Sequence, residues 1–110
     1  MANETYTQEL DAQVASQFVS IGKDVYIFAH AEIKEFVKID DGCIIPPGAI
    51  IESFTHVKKK DVLTEWTVYQ GMPAKRVGTN DKKKSISYEE ISLLESCYLE
   101  RLVKRRMKPV

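Results

Sequence analysis

The sequence predicts an all-β solenoid, a short parallel β-helix followed by a C-terminal α-helix. Two observations predict the solenoid: aliphatic residues recur at an unbroken spacing of six, and a small or short side chain follows four positions after each of the first six. The aliphatic positions are Ile21, Ile27, Ile33, Ile39, Ile45, Ile51 and Val57. The small positions are Val25, Ala31, Val37, Cys43, Ala49 and Thr55. An amphipathic helix repeats near 3.6 residues and a half-buried strand at two, so neither gives this pattern.

In a parallel β-helix each hexad is one short strand plus a turn, and stacked coils bury a continuous column of inward aliphatics. Phasing the repeat backwards adds a hexad at 15–20, with Val19 in the small position, and phasing it forwards adds one at 57–62. The repeat therefore covers residues 15–62. The alternative is a sandwich of ordinary strands, which would show two-residue alternation and turns at variable spacing.

Two segments carry a family resemblance. Residues 39–51 are similar to the isoleucine-rich coils of the hexapeptide-repeat, left-handed β-helix acyltransferase superfamily, and residues 61–75 are similar to its exit motif. That motif usually ends Gly-Asn-Pro-Ala-Lys, and here Met72 stands where Asn is usual. The chain resembles a short or truncated member over residues 15–77. Because the superfamily also includes carbonic anhydrase-like and non-catalytic proteins, the resemblance indicates fold more strongly than function.

The predicted repeat is short. Family members place three hexads in a coil, so eight hexads make fewer than three coils. Arrays this short need neighbours or caps to cover their faces and ends. The resemblance implies a homotrimer packed side by side, with sites between subunits.

The flanking segments complete the predicted organisation. Residues 1–14 are polar and are predicted to be a lead-in or a cap on the first coil. The β-helix and its exit motif follow over 15–77, then an exposed linker over 78–86 and a helix over 87–107.

The helix start is specified twice, by a capping box of Ser87 with Glu90 and by a hydrophobic staple of Ile86 with Ile91. One apolar face is predicted to dock on the solenoid or on a neighbouring subunit, with a partner-binding helix as the alternative. Its residues are Ile91, Leu94, Tyr98 and Leu102, with Leu93, Cys97 and Val103 broadening the face.

Net charge is zero, but the two halves differ. Residues 1–56 hold three basic and nine acidic residues, a net charge of −6, and residues 57–110 hold thirteen and seven, a net charge of +6. The halves could complement each other within a trimer, or the basic half could hold a phosphate-bearing ligand such as coenzyme A. Nucleic acid is disfavoured because the basic residues lack interleaved aromatics and a recognition motif.

Composition also bounds location and redox chemistry. No apolar stretch approaches a membrane span, and the start lacks a signal-peptide pattern, so we expect a cytoplasmic protein. Cys43 occupies an inward hexad position and Cys97 lies in the predicted helix, so both are predicted to be buried small hydrophobes and not a disulfide.

The resemblance implies a chemistry. In acyltransferases of this superfamily a histidine acts as general base, taking a proton from an acceptor hydroxyl or amine as it attacks the thioester of acetyl-CoA. The candidates are His30, fourth in its hexad at a turn, and secondarily His56; the alternative for each is a surface or intersubunit hydrogen-bonding histidine.

Other residues match the family's coenzyme contacts. Gly48 and Ala49 match the step that meets the pantetheine arm, and Lys75 matches the exit lysine that meets the coenzyme. Turn geometry alone is the alternative explanation for Gly48. A carbonic anhydrase-like zinc site would need three histidines, whereas this chain has two, predicted to lie on different faces, so no metal is expected.

Two functions remain open. The first is an acetyltransferase-like enzyme that moves an acetyl group from acetyl-CoA to a hydroxyl or amine of a sugar or small molecule. The second is a non-catalytic trimeric scaffold or assembly protein. An open groove beside His30 favours the enzyme, and a C-terminal helix filling that groove favours the scaffold.

Overall fold

A computed structural model describes residues 5–107, with positions 106 and 107 described by their backbone alone. Short strands are joined by tight turns, and one long helix follows them. The strands are β1 Thr7–Gln8, β2 Gln13–Val14, β3 Val19–Ile21, β4 Tyr26–Ile27, β5 Glu32–Ile33, β6 Val37–Ile39, β7 Ile44–Ile45, β8 Ile50–Ile51, β9 His56–Val57, β10 Thr67–Gln70 and β11 Lys75–Thr79. A 3-10 helix, Asp81–Ser85, precedes the α-helix α1, Tyr88–Met107.

From β1 to β9, every third strand falls in the same sheet, which confirms the predicted solenoid. The first sheet has the order β1-β4-β7, the second β11-β10-β8-β5-β2, and the third β3-β6-β9. Within the described residues, all pairings between coils are parallel, and only β10 with β11 is antiparallel. Residues 5–107 therefore include three complete coils, coil 1 from β1–β3, coil 2 from β4–β6 and coil 3 from β7–β9, and the start of another at β10, called the fourth coil below. The architecture is that of a short left-handed β-helix.

The core consists of the inward columns that the period of six predicts. Ile33 lies beside Ile51, and Ile39 beside Val57, because equivalent residues of coils 2 and 3 are eighteen positions apart. The inward aliphatics and the small residues of these two coils are all buried. Burying each aliphatic contributes roughly 1.5–3 kcal/mol, so the columns hold the coils in register.

Coil 1 corrects the predicted start of the repeat. Its strands begin at Thr7, whereas the periodicity placed residues up to 14 in a lead-in or cap and expected fewer than three coils. Val14 pairs with Ile33, nineteen positions on, while Val19 pairs with Val37, eighteen positions on. One extra residue between β2 and β3 therefore shifts the phase, so Val14 and not Ala15 occupies the inward position. Residues 1–4 of the predicted lead-in lie outside the described range.

The corners of the prism are formed by residues in the left-handed region. The first corner joins the first sheet to the second. The second corner joins the second sheet to the third, and the third corner joins the third sheet to the first. The first corner carries Asp11, His30, Gly48 and Trp66, the second Phe18, Phe36 and Phe54, and the third Asp24 and Gly42, all with φ between 56° and 74°. At the second corner the three phenyl rings stack at 5.2 and 5.1 Å between centroids.

The C-terminal end of the solenoid is covered by its own chain. Leu63 and Tyr69 are buried and continue the inward columns beyond coil 3. The chain then turns and returns as β11 along β10. The predicted exposed linker contains ordered structure, since β11 extends to Thr79 and the side chain of Asn80 accepts a hydrogen bond from the backbone N–H of Lys82 to cap the 3-10 helix.

Helix α1 docks on the outer face of the first sheet. Tyr98 is buried against Phe28, with ring centroids 5.8 Å apart, and its hydroxyl donates a 2.6 Å hydrogen bond to the Leu63 carbonyl. Burial raises the pKa of the Tyr98 phenol. The guanidinium of Arg101 lies 3.6 Å from the centre of the Tyr26 ring.

The docked face is narrower than predicted. Leu93 and Val103, expected to broaden it, are 65% and 52% exposed. Both residues lie outside the contact with the solenoid, because a helix packed on a nearly flat sheet buries only about a third of its surface.

The cysteines are both free. Cys43 is buried, and burial raises the pKa of its thiol to about 11. Cys97 is only half-buried and packs against the cluster that contains Phe28 and Tyr98. The expectation of a buried cysteine therefore holds for Cys43 alone. Within residues 5–107, no helix combines the length and apolarity needed to cross a bilayer.

Replacing Tyr98 with Phe tests the docking of α1. The change leaves the buried Leu63 carbonyl without this donor, so we expect a loss of about 1–2 kcal/mol in the free energy of unfolding measured with urea. Tyr88→Phe is the matched control, because Tyr88 is 80% exposed, and it should change stability by less than about 0.5 kcal/mol. Equal losses in the two variants would contradict the docking.

Candidate active site at the first corner

His30 lies at the first corner of coil 2, where its backbone has φ 67° and its N–H donates to the Asp11 carbonyl at 3.1 Å. The corner directs the side chain out of the prism. The residue is nevertheless only 7% exposed. Two residues cover it, Glu90 of α1 and Trp66 at the first corner of the fourth coil.

The first turn of α1 supplies the closest partner of His30. Oε2 of Glu90 lies 2.8 Å from Nε2 of His30. Ser87 Oγ accepts a 3.2 Å hydrogen bond from the Glu90 N–H, which is one half of the predicted capping box. In a complete capping box the Glu90 carboxylate would accept a hydrogen bond from the Ser87 N–H. Here the Glu90 carboxylate contacts His30. Since an ionised carboxylate can only accept, Nε2 of His30 carries the proton in this contact.

The second ring nitrogen of His30 faces the interior of the corner. The rings of His30 and Trp66 have centroids 5.8 Å apart and planes tilted by 31°. Nδ1 of His30 and Nε1 of Trp66 are both buried and have no hydrogen-bond partner within the described part of the chain. In the neutral histidine Nδ1 is then the basic nitrogen, because the proton is held on Nε2.

Gly48 lies one coil beyond His30 at the same corner, and Trp66 covers it. Its N–H donates to the Ala29 carbonyl at 3.1 Å, and its carbonyl accepts from Nδ2 of Asn80 at 2.9 Å. A Cβ added at Gly48 would lie 2.1 Å from the Trp66 ring. Ala49 next to it is fully buried in the core. Packing thus accounts for both small residues, and their predicted contact with coenzyme stays a prediction.

Lys75 is placed apart from the histidine. It is the exposed first residue of β11, the edge strand of the second sheet, directly after the turn at Gly71 and Pro73. Its neighbour Arg76 is also exposed. The structure therefore groups His30 with Gly48 at the first corner and puts Lys75 in the second sheet, at the end of the sheet next to the second corner.

His56 belongs to the third sheet, on a different face from His30, as the hexad count predicts. Nε2 of His56 lies 2.8 Å from Oδ1 of Asp40. That hydrogen bond is the main cause that lowers the pKa of the Asp40 carboxyl. Across residues 5–107, no group of three or more His, Cys, Asp or Glu side chains is placed to hold a metal ion.

Sequence reasoning missed Trp66 and Glu90 at this site. Trp66 was predictable, since it lies 36 positions after His30, which is two coils of eighteen. No sequence pattern pairs Glu90 with His30. The capping box alone accounts for a glutamate at this position, and the two residues are 60 positions apart.

The comparisons with known proteins agree with this fold. A family model described as bacterial transferase hexapeptide (six repeats) matches residues 18–53. The chain is 35% identical over 89 residues to chloramphenicol acetyltransferase of Morganella morganii, an alignment that covers 81% of this chain and 36% of that protein. The chain therefore spans about a third of the length of this curated relative. Both findings support the resemblance to the hexapeptide-repeat acyltransferase superfamily.

The corner packing gives a testable contrast between two glycines. Gly48→Ala places a Cβ inside the Trp66 ring, so we expect a loss of about 3 kcal/mol or more in the free energy of unfolding. Gly42→Ala has a similar positive φ, but the nearest atom is Cε of Lys59 at 3.8 Å, so it should lose only about 1–2 kcal/mol. Urea denaturation measures both. Indistinguishable losses would show that Trp66 does not cover Gly48.

Proposed function

We propose that this chain is an acyltransferase module that uses acetyl-CoA to acetylate a hydroxyl or amine of a sugar or other small molecule. The observation that carries the proposal is the 35% identity to an acetyltransferase over 89 residues, a length that requires the match to run through most of the solenoid and exit hairpin. The relative is named for chloramphenicol, which makes chloramphenicol a reasonable probe acceptor. We also propose a cytoplasmic location, where acetyl-CoA is available as co-substrate.

His30 is the proposed base, with Glu90 holding its Nε2 proton. Nδ1 would take the proton from the acceptor as the acceptor oxygen or nitrogen attacks the thioester carbonyl. The tetrahedral intermediate would then collapse, breaking the carbon–sulfur bond, and the proton taken up by Nδ1 of His30 would pass to the sulfur, so that coenzyme A leaves as the thiol. A backbone N–H would stabilise the oxyanion. Lys75 is the proposed contact for a phosphate of the coenzyme, since it is exposed and cationic on an edge strand.

We further propose a side-by-side homotrimer. Its support is the exposed phenyl stack at the second corner, where the three side chains are 49–61% exposed. A row of three exposed aromatic rings is a typical protein interface feature. A trimer would place this row and the neighbouring apolar groove, which includes Met72, against another subunit.

A non-catalytic scaffold is the second candidate, and one observation favours it. The first turn of α1 closes over His30, and Nδ1 is buried against Trp66 in the single chain. On this hypothesis the contact between His30 and Glu90 fastens α1 to the solenoid and has no role in proton transfer.

Coenzyme binding tests the first step. We expect isothermal titration calorimetry with coenzyme A to give a measurable dissociation constant, weakened about tenfold by Lys75→Ala through loss of one charged contact. Lys84→Ala is the control, an exposed lysine on the 3-10 helix that should bind as wild type does. No heat at millimolar coenzyme A would exclude the enzyme hypothesis.

Turnover tests the role of His30. With acetyl-CoA and chloramphenicol, or a panel of sugars and amines, thiol release should fall about 100-fold or more in His30→Gln while coenzyme affinity is unchanged. His56→Gln should retain activity. Binding of coenzyme A without any histidine-dependent thiol release would favour the scaffold.

A further inference from the structure

Two buried nitrogen atoms at the first corner have complementary hydrogen-bonding chemistry. Across the described residues, Nδ1 of His30 and Nε1 of Trp66 are buried without a partner, and the two residues are only 7% and 4% exposed. With the Nε2 proton of His30 directed to Glu90, Nδ1 is an acceptor, whereas an indole N–H can only donate. Because buried polar groups are nearly always hydrogen-bonded, this acceptor and donor indicate a site for a group that both donates and accepts.

The stacking of the corner brings the two rings together. Trp66 lies two coils beyond His30, and the corner residue between them is Gly48. The Trp66 ring fills the space that a side chain at Gly48 would take, since an added Cβ would lie 2.1 Å from it. The ring centroids of Trp66 and His30 are consequently only 5.8 Å apart. One oxygen atom with two hydrogen bonds joins nitrogens up to about 6 Å apart, which is the scale of this separation.

The backbone that carries the indole is held on both sides of its peptide unit. The Trp66 N–H donates to the Pro47 carbonyl at 2.9 Å, and the Trp66 carbonyl accepts from the Asn80 N–H at 2.8 Å. The Asn80 side chain in turn donates to the Gly48 carbonyl at 2.9 Å. The indole donor is therefore positioned before any ligand arrives, as a selective polar site requires.

We propose that Trp66 selects a hydroxyl acceptor, by donating its indole N–H to the acceptor oxygen while Nδ1 of His30 takes the O–H proton. This inference rests on the acetyl transfer proposed above. A hydroxyl suits both nitrogens, because it has one proton to donate and two lone pairs. One lone pair accepts from Trp66 and the other attacks the thioester carbonyl. The carbon–sulfur bond then breaks, the proton passes from His30 to the sulfur, and the products are an ester and the thiol of coenzyme A.

An amine suits the same pair of nitrogens less well. A neutral amine has a single lone pair, so accepting a hydrogen bond from the indole would occupy the electrons that must attack the carbonyl. An ammonium group has no lone pair and cannot accept at all. Trp66 therefore favours acetylation at oxygen over acetylation at nitrogen.

The acceptor enters beside the first turn of α1. In the ion pair that closes the corner, the side chain of Glu90 is 44% exposed and that of His30 is 8% exposed, so Glu90 is the outer member. The ends of helices open locally at a lower free-energy cost than their centres. Opening this turn uncovers His30 without disturbing the coils.

Thiol release from acetyl-CoA with chloramphenicol, glucose and glucosamine tests the selection, and hydroxylamine, which cleaves esters, separates ester from amide products. We expect only esters from the wild type, even with glucosamine. Trp66→Phe keeps an aromatic ring over Gly48 but removes the donor, so kcat/KM for ester formation should fall at least tenfold. The affinity for coenzyme A, measured by calorimetry, should be unchanged.

A second replacement separates the donor from the size of the ring, because Phe is smaller than Trp. The amino acid 3-benzothienylalanine at position 66 keeps the shape of the indole and has sulfur in place of the N–H. It should retain the wild-type circular dichroism and show the same loss of ester formation.

The outcomes distinguish this selection from the proposed function itself. Ester formation that neither replacement at position 66 lowers, or an amide as the main His30-dependent product from glucosamine, would overturn the selection alone. No thiol release with any of the three acceptors, or release that His30→Gln leaves unchanged, would overturn the proposed function and the selection with it.

Discussion

The vertical stacking of residues one coil apart is the constraint on which the rest of this structure depends. Each coil is too small to bury its own aliphatics, so a side chain is covered only when residues eighteen positions before and after lie directly above and below it. Backbone pairing between coils enforces the same alignment. Changes in the length of a coil are absorbed at corners, as the extra residue before β3 shows.

The stacking also decides which side chains can meet outside the core. Corner residues form columns of their own, which is why three phenylalanines stack at the second corner and Trp66 covers Gly48 at the first. His30 belongs to that first column, so its environment is set by the coils on either side as much as by its own turn. Helix α1 then adds Glu90 from outside the repeat.

Much of this arrangement could be read from the sequence because it is periodic. The spacing of six gave the inward aliphatics and the separation of His30 from His56, and the capping residues gave the start of α1 at Tyr88. Coil 1 was misread because Gln8 occupies an inward position and an inserted residue moves Val14 out of phase. Neither change leaves a signal in a strict six-residue count.

The site was less predictable than the fold for a physical reason. Contacts between α1 and the solenoid join residues with no common period, so the meeting of Glu90 with His30 and of Tyr98 with Leu63 depends on how the helix docks. The exposure of Leu93 and Val103 has the same origin. Helical periodicity gives an apolar face, but the width of its contact is set by the surface that receives it.

Site-resolved amide hydrogen exchange tests the stacking most directly. The N–H groups of Glu32, Lys34 and Lys38 in coil 2 donate to the Ala49, Ile51 and Thr55 carbonyls of coil 3, at 2.9–3.0 Å. If the columns unite the coils, these three amides should exchange together, at the rate set by global unfolding. Exchange within seconds, or at three unrelated rates, would contradict a solenoid held by continuous stacking.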